Sequence, residues 1–178
     1  MAKLARLMQS CPPQYIDPEL LADSGEGVSG ALPVAGMQRL RDLLSRTTGS
    51  VRFSLQFSRD ARRRIRVCGH FSTTLGMCCQ RCLEVMDVGI AGDIAVTLVA
   101  DEAEAKRLPR EEEPMVVSTK LVDLALFLED ELLLAVPLAP NHDNAKCHAR
   151  LTGDDAPVRE RQQPFSALAD LQLKNSNK

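Results

Sequence analysis

Residues 51–57 read VRFSLQF and residues 65–77 read IRVCGHFSTTLGM, and both stretches alternate apolar with polar side chains. A period of two is that of a β-strand, in which successive side chains point to opposite faces. Alternation over this length indicates long antiparallel strands with one face on the core and the other in water. The turn between them falls at 58–61, and Gly69 predicts a bulge or bend in the second strand.

Two other stretches carry helical patterns. Apolar residues at 37, 40, 43 and 44 share one face of a helix over 37–46. The stretch from Leu121 to Ala135 is apolar nearly all round, which predicts a helix buried against the sheet or against a partner. Ser118 or Thr119 is expected to cap the start of that helix.

The fold class that follows is α+β. An antiparallel sheet is expected from about residue 51 to residue 117, with the long, mostly apolar helix packed on it and the N-terminal helix beside it. We expect a single domain over residues 36–148. Residues 1–35 predict an extended N-terminal lead-in, and residues 149–178 a flexible tail with a short apolar motif at 164–171.

Composition restricts the class of protein. Apolar residues make up 44% and charged residues 26% of the chain, as in soluble globular proteins. The longest apolar stretch, from Leu121 to Val136, is too short to cross a bilayer and holds four carboxylates. No secretory segment precedes it, so we expect a cytoplasmic protein without a membrane partner. In that compartment paired cysteines more often bind metal than form disulfides.

Six cysteines occur in the chain, and the most informative lie in the run CCQRC that ends at Cys82. Cys79 and Cys82 form a Cys-x-x-Cys turn, which can bind one metal ion or close one disulfide. Cys147, with His142 or His148, could supply the other half of a zinc site. The alternatives are inert thiols and a redox pair, although a thioredoxin-type motif opens a helix and this one follows an antiparallel strand.

Positive charge is concentrated in one part of the chain. Residues 36–81 hold ten arginines and two aspartates, a net charge of +8, whereas residues 101–178 hold ten basic and fifteen acidic residues, a net charge of −5. Strand geometry would place Arg62, Arg64 and Arg66 on one face about 6.5–7 Å apart, a repeat that suits nucleic-acid phosphates. A solvated outer face is the alternative. The candidate RNA-binding residues are Arg59, Arg62, Arg63, Arg64, Arg66 and Arg81.

Carboxylates mark the apolar helix. Asp123 and Asp130 share a helix face, but no His or Ser in a fitting context accompanies them, so we prefer a docking face for a basic partner to a pair of catalytic acids. No nucleotide-binding glycine loop or hydrolase motif occurs, and we predict that the protein is not an enzyme. The candidate partner-docking residues are Asp123, Asp130, Glu131, Phe165, Leu168 and Leu171.

At these motifs the chain resembles the bacterial YceD family. The resemblance implies a non-enzymatic factor for the synthesis, processing or stability of 23S ribosomal RNA in large-subunit biogenesis, with ribosomal RNA or a pre-ribosomal particle as partner. Some relatives carry more cysteines after the helix, which suggests zinc as a cofactor. The resembling segments are CQRCL at 79–83, VDL at 122–124, EDELLLAVP at 129–137, His142-Asp143 with Cys147, and PFSALADL at 164–171.

Two other functions stay open at this point. The first is an adaptor whose acidic helix and tail motif dock an RNA-processing enzyme or a basic ribosomal protein. The second is a thiol redox protein or a zinc-stapled structural protein built on Cys79 and Cys82.

Overall fold

A computed structural model describes residues 12–143 and Cys147, and the predicted α+β class is confirmed. The predictions for the tail motif (Phe165, Leu168 and Leu171) and for His148 lie outside the described residues. A short 3-10 turn at Val34–Gly36 precedes the second helix. In chain order the elements are β1 (Tyr15–Ile16), α1 (Pro18–Ser24), β2 (Gly27–Pro33), α2 (Gln38–Arg41), β3 (Ser50–Arg59), β4 (Ile65–Cys78), β5 (Val85–Val99), α3 (Glu102–Ala105), β6 (Glu113–Val116), β7 (Val122–Asp123) and α4 (Leu124–Ala135).

A five-stranded sheet in the order β2-β3-β4-β5-β6 forms the body of the fold. The alternation in β3 and β4 has the predicted effect, because Val51, Phe53, Leu55 and Phe57 are all buried in the core. The prediction of a wholly antiparallel sheet is wrong, since β6 pairs with β5 in parallel. The chain leaves β5, turns back through α3 and re-enters the sheet beside Val96, so that β6 runs in the same direction as β5.

The segment expected to be an extended lead-in contributes three elements. Asp17 caps α1 by accepting the backbone N–H groups of Glu19 and Leu20 at 3.1 and 3.2 Å. The next segment, β2, pairs along β3, with Val28 opposite Leu55. Its sequence, GVSGALP, carries too little alternation to be read as a strand, and pairing with the strongly alternating β3 decides its conformation.

The helix predicted over 37–46 is limited to the four residues of α2. Met37 and Leu40 are buried as the helical pattern requires, but Leu43 is half exposed. Beyond it, the backbone N–H groups of residues 45 and 46 donate to the carbonyl oxygen of Gly76 in β4, at 2.8 and 3.3 Å. The chain therefore leaves the helix because it can pair with a neighbouring strand.

The predicted apolar helix begins later than its pattern suggests. Residues 122 and 123 pair with β1 as β7, and the Asp123 side chain caps α4 by accepting the backbone N–H groups of Ala125 and Leu126 at 2.9 and 3.1 Å. The expected cap at Ser118 or Thr119 is wrong. Leucines on one side of α4 pack in the core, whereas Leu126 and Leu134 are exposed. Within residues 12–143 no helix is long and apolar enough to cross a membrane.

Candidate functional site

The Cys-x-x-Cys motif forms a tight turn between β4 and β5. Its backbone closes on itself, since the Cys79 N–H donates to the Glu84 carbonyl and the Leu83 N–H donates to the Cys79 carbonyl, both at 2.9 Å. Leu83 takes a left-handed conformation with φ of 61°. The turn therefore projects both cysteine side chains to one side, at the end of the sheet.

A second segment, which follows α4, meets this turn. The backbone N–H of Gln80 donates to the carbonyl oxygen of Pro140 at 2.9 Å. Across this contact the Cys79 Sγ lies 3.4 Å from the Cys147 Sγ, and the Cys82 Sγ lies 3.4 Å from the His142 Nδ1. The structure thus brings together the four residues that the sequence proposed as metal ligands, with their donor atoms all within 4.8 Å of one another.

The geometry of the four donor atoms fits a metal ion. Tetrahedral zinc, with bonds of about 2.3 Å to sulfur and about 2.0 Å to nitrogen, places its ligand atoms about 3.5–3.8 Å apart. The two distances of 3.4 Å are close to that value, and the sulfur pair is too far apart for a disulfide. Three cysteines and one histidine are a typical set of structural zinc ligands. The Arg81 N–H, 3.4 Å from the Cys79 Sγ, is the kind of second-layer donor that stabilises a metal-bound thiolate.

Electrostatics at the cluster also favour a cation. Burial alone would raise the pKa of Cys79, but hydrogen bonds from the backbone N–H groups of Cys82, Arg81 and His142, together with one from Cys147, lower it to about 5. Burial, followed by the hydrogen bonds and the charge of Cys79 and Cys82, raises the pKa of Cys147 to about 11. A metal ion at the centre would offset both the burial of the thiolate charge and the repulsion between thiolates, which otherwise keep the Cys147 proton in place.

The candidate RNA-binding arginines do not form the predicted row. Asp60 organises a turn by accepting the backbone N–H groups of Arg62 and Arg64, both at 2.8 Å, so that only Arg66 of the three lies in β4. Arg64 is largely buried in ion pairs with Asp60 and Glu112, at 2.6 and 2.9 Å. A polar turn residue has overridden the strand geometry expected from sequence spacing.

The other candidate arginines differ in their surroundings. Arg59 pairs with Asp23 at 2.5 Å. Arg62, Arg63 and Arg66 are exposed, and no carboxylate of the described residues pairs with their side chains. Arg81 lies on the cysteine turn at the opposite end of β4 from the hairpin tip, the turn at residues 60–64 between β3 and β4. A strand of this length separates the two by about 40 Å. The six arginines therefore cannot act as one continuous site.

Sequence reasoning missed Arg52, which is also exposed. Arg52 lies opposite Ser72 on the solvent face of the sheet, the same face that carries Arg66. The alternation in β3 would have revealed it, because Arg52 is the first polar residue of the wet face.

The helix carboxylates have three different environments. Asp123 is the cap of α4, and Asp130 pairs with Arg39 at 2.5 Å. Glu131 is half buried, and burial, followed by the charges of Glu113 and Asp130, raises its pKa. Of these three carboxylates, Glu131 is the one that neither caps a helix nor pairs with an arginine among the described residues.

Two comparisons with known proteins bear on this site. A family model described as "Large ribosomal RNA subunit accumulation protein YceD" matches residues 67–172, a range that holds all four residues of the cluster. The Large ribosomal RNA subunit accumulation protein YceD of Haemophilus influenzae is 25% identical over 168 residues, which cover 91% of this chain and 97% of the relative. No solved structure matches the chain.

Proposed function

Because this chain belongs to the YceD family, we propose that it is a non-enzymatic factor for the accumulation of 23S ribosomal RNA, acting in biogenesis of the large ribosomal subunit. The observation that carries this proposal is the family match over residues 67–172, which includes the cysteine turn, α4 and the segment that follows. Synthesis, processing and stability of the RNA are the steps at which such a factor can act.

The proposal gives the metal cluster a structural role. Cys79, Cys82, His142 and Cys147 would hold one zinc ion with four protein ligands. Catalytic zinc keeps one position open for water or substrate, whereas a closed four-ligand site contributes to folding. Zinc would then fasten the segment after α4 to the end of the sheet.

In the proposed contact with RNA, the hairpin tip binds phosphates. Arg62, Arg63 and Arg66 are the exposed guanidinium groups there, and each can bind a phosphate through two hydrogen bonds. Aromatic residues make up only 3% of the chain, which favours backbone recognition over base stacking. Arg59 and Arg64 support the hairpin through their ion pairs.

The test is a bacterial strain that lacks the protein and is complemented with variants. We expect the loss of the protein to lower mature 23S relative to 16S ribosomal RNA, and the wild type to restore it. A normal ratio in the deletion strain would refute the proposed function. In vitro, the triple change R62E/R63E/R66E should weaken RNA binding and reduce the slope of log K against log salt by about 2–3, since each of the three phosphate contacts contributes about 0.7–0.9. Arg41→Glu, an exposed arginine on α2, is the matched control.

An adaptor that binds protein instead of RNA is the second candidate. It is favoured by the ion pairs that engage Arg59 and Arg64 and so reduce the positive surface. If the triple arginine variant supports normal 23S ribosomal RNA levels and binds RNA as the wild type does, the adaptor is the better description.

A further inference from the structure

An apolar groove lies along the outer edge of the sheet, away from the metal cluster. It is a shallow, open groove of about 370 Å³ between β6, β7 and the first turns of α4. Four large apolar side chains line it and keep between 42% and 54% of their surface exposed: Tyr15, Val116, Leu121 and Leu126. Single exposed apolar side chains are common on protein surfaces, whereas several that share one groove are typical of an interaction site.

The backbone beside the groove is open to pairing. In the described part of the chain β6 pairs only with β5, so its other side is a sheet edge. This edge is short, and Pro114 within it has no N–H to donate, so an approaching extended chain meets the carbonyl groups of Pro114 and Val116 and the N–H of Val116. A bound peptide strand could pair with these groups while alternate side chains enter the groove.

The charge at the groove identifies the kind of partner. Asp130 lies in its wall, and the pKa of the neighbouring Glu131 is raised by burial first and then by the charges of Glu113 and Asp130. Among the described residues Glu131 and Glu113 have no ion-pair partner, and Arg39 is the cation paired with Asp130. Carboxylates that repel one another are relieved by a cationic ligand.

We propose that this groove binds an extended segment of another protein in which bulky apolar residues alternate with Lys or Arg. The apolar residues would occupy the space between Val116 and Leu126, and the basic residues would face Asp130 in the wall, with Glu113 and Glu131 beyond its end. The inference goes beyond the proposed function and does not rest on it, because groove, edge and charge are observed in the chain itself.

Other occupants fit less well. The tail motif at 164–171 is apolar enough, but PFSALADL holds Asp170 and no basic residue. A second copy bound through the same groove would bring two sets of carboxylates together. RNA is disfavoured by the same charge.

A fluorescent synthetic peptide of about twelve residues, with alternating Leu and Lys, is the probe. We expect saturable binding to the full chain, measured by fluorescence anisotropy. Two comparison peptides, with every Lys replaced by Glu or every Leu by Ser, should bind at least about tenfold more weakly.

Variants of the full chain locate the site. Leu126→Ser and Val116→Ser should each weaken binding about tenfold, and Glu131→Lys should weaken it and lower its salt dependence. Leu126 is exposed enough that folding should survive, which circular dichroism checks. Leu43→Ser, at a residue of similar exposure, and Glu26→Lys are matched controls that should leave affinity unchanged.

Three results would overturn the inference. The first is the absence of saturable binding of the basic peptide up to about 1 mM, because a weaker affinity would not indicate a specific site. The second is equal loss of affinity in the groove variants and their controls. The third comes from a photo-crosslinking amino acid at position 126, if it reacts with residues 164–171 of its own chain or with a second copy in preference to the peptide.

Discussion

The Glu129 side chain joins α2 and α4, and its contacts allow the loss of stability on its removal to be calculated. The side chain is 3% exposed, and one carboxylate oxygen accepts the backbone N–H of Leu40, in the first turn of α2, at 3.0 Å. The other oxygen lies 3.4 Å from Arg39. Because Leu40 is fully buried, water cannot replace the acceptor once it is gone.

Glu129→Ala should lower the free energy of unfolding by about 2–3 kcal/mol. A buried N–H left without an acceptor costs about 1–3 kcal/mol, and the lost methylene adds roughly 0.8 kcal/mol. The substitution also removes the cost of burying the Glu129 charge, which offsets part of this loss of stability. Glu129→Gln keeps an oxygen for the Leu40 N–H and nearly the same volume, so we expect a loss below about 1.5 kcal/mol.

Urea unfolding followed by far-UV circular dichroism measures these losses. With a slope of about 2 kcal/mol/M, the middle of the usual range in urea, Glu129→Ala should move the midpoint by roughly 1–1.5 M. Hydrogen exchange of the Leu40 amide should speed up in the Ala variant and stay slow in the Gln variant. The control is Asp130→Ala, which removes the exposed neighbour that also pairs with Arg39. If both Ala variants shift the midpoint equally and the Leu40 amide stays protected, the Glu129 carboxylate does not support α2.

Three further predictions follow from single residues. Gly69→Ala should destabilise the protein by about 1–3 kcal/mol, because the added carbon would lie 2.2 Å from a backbone oxygen of β3, whereas Gly89→Ala, with nothing within 4 Å, should be neutral in the same urea titration. Burial would raise the pKa of Asp60, but its hydrogen bonds and its arginine partner lower it overall, so its contribution to stability is present above pH ~4 and is lost as the pH falls through the lowered pKa of the folded state. Asp60→Asn should therefore destabilise the protein at neutral pH but not in acid. A difference in stability that stays constant across the pH range would contradict this assignment. Cys82→Ser should reduce bound zinc from about one ion per chain to none by elemental analysis, with Cys68→Ser unchanged; equal zinc contents would exclude the cluster as the binding site.

Much of the fold could be predicted from local pattern. The alternation of β3 and β4 identifies the core residues correctly, because side-chain direction in a strand depends only on position along it. The parallel pairing of β6 could not be predicted in this way, since strand direction depends on where the preceding loop returns. The end of α2 could not be predicted either, because the backbone N–H groups of residues 45 and 46 donate to Gly76 in a distant strand instead of continuing the helix.

The candidate site shows the same division. The Cys-x-x-Cys turn can be predicted because its two ligands are three residues apart, whereas His142 and Cys147 lie about sixty residues further along and the sequence supports their part in the site only as a hypothesis. The predicted row of Arg62, Arg64 and Arg66 is not formed, because Asp60 builds a turn where the sequence spacing predicts a strand. The groove beside β6 could not be predicted from the sequence, because its walls come from separate parts of the chain.

By itself the sequence determined which residues alternate, which ligand types occur and how charge divides along the chain, since these properties need only neighbours in the chain. The tertiary structure alone decided that four metal ligands meet, that Arg64 is held between two carboxylates, and that exposed apolar side chains share a groove beside an edge strand. The physical reason is that hydrogen bonds and ion pairs act over a few ångströms, and only folding sets which residues from distant parts of the chain come within that range.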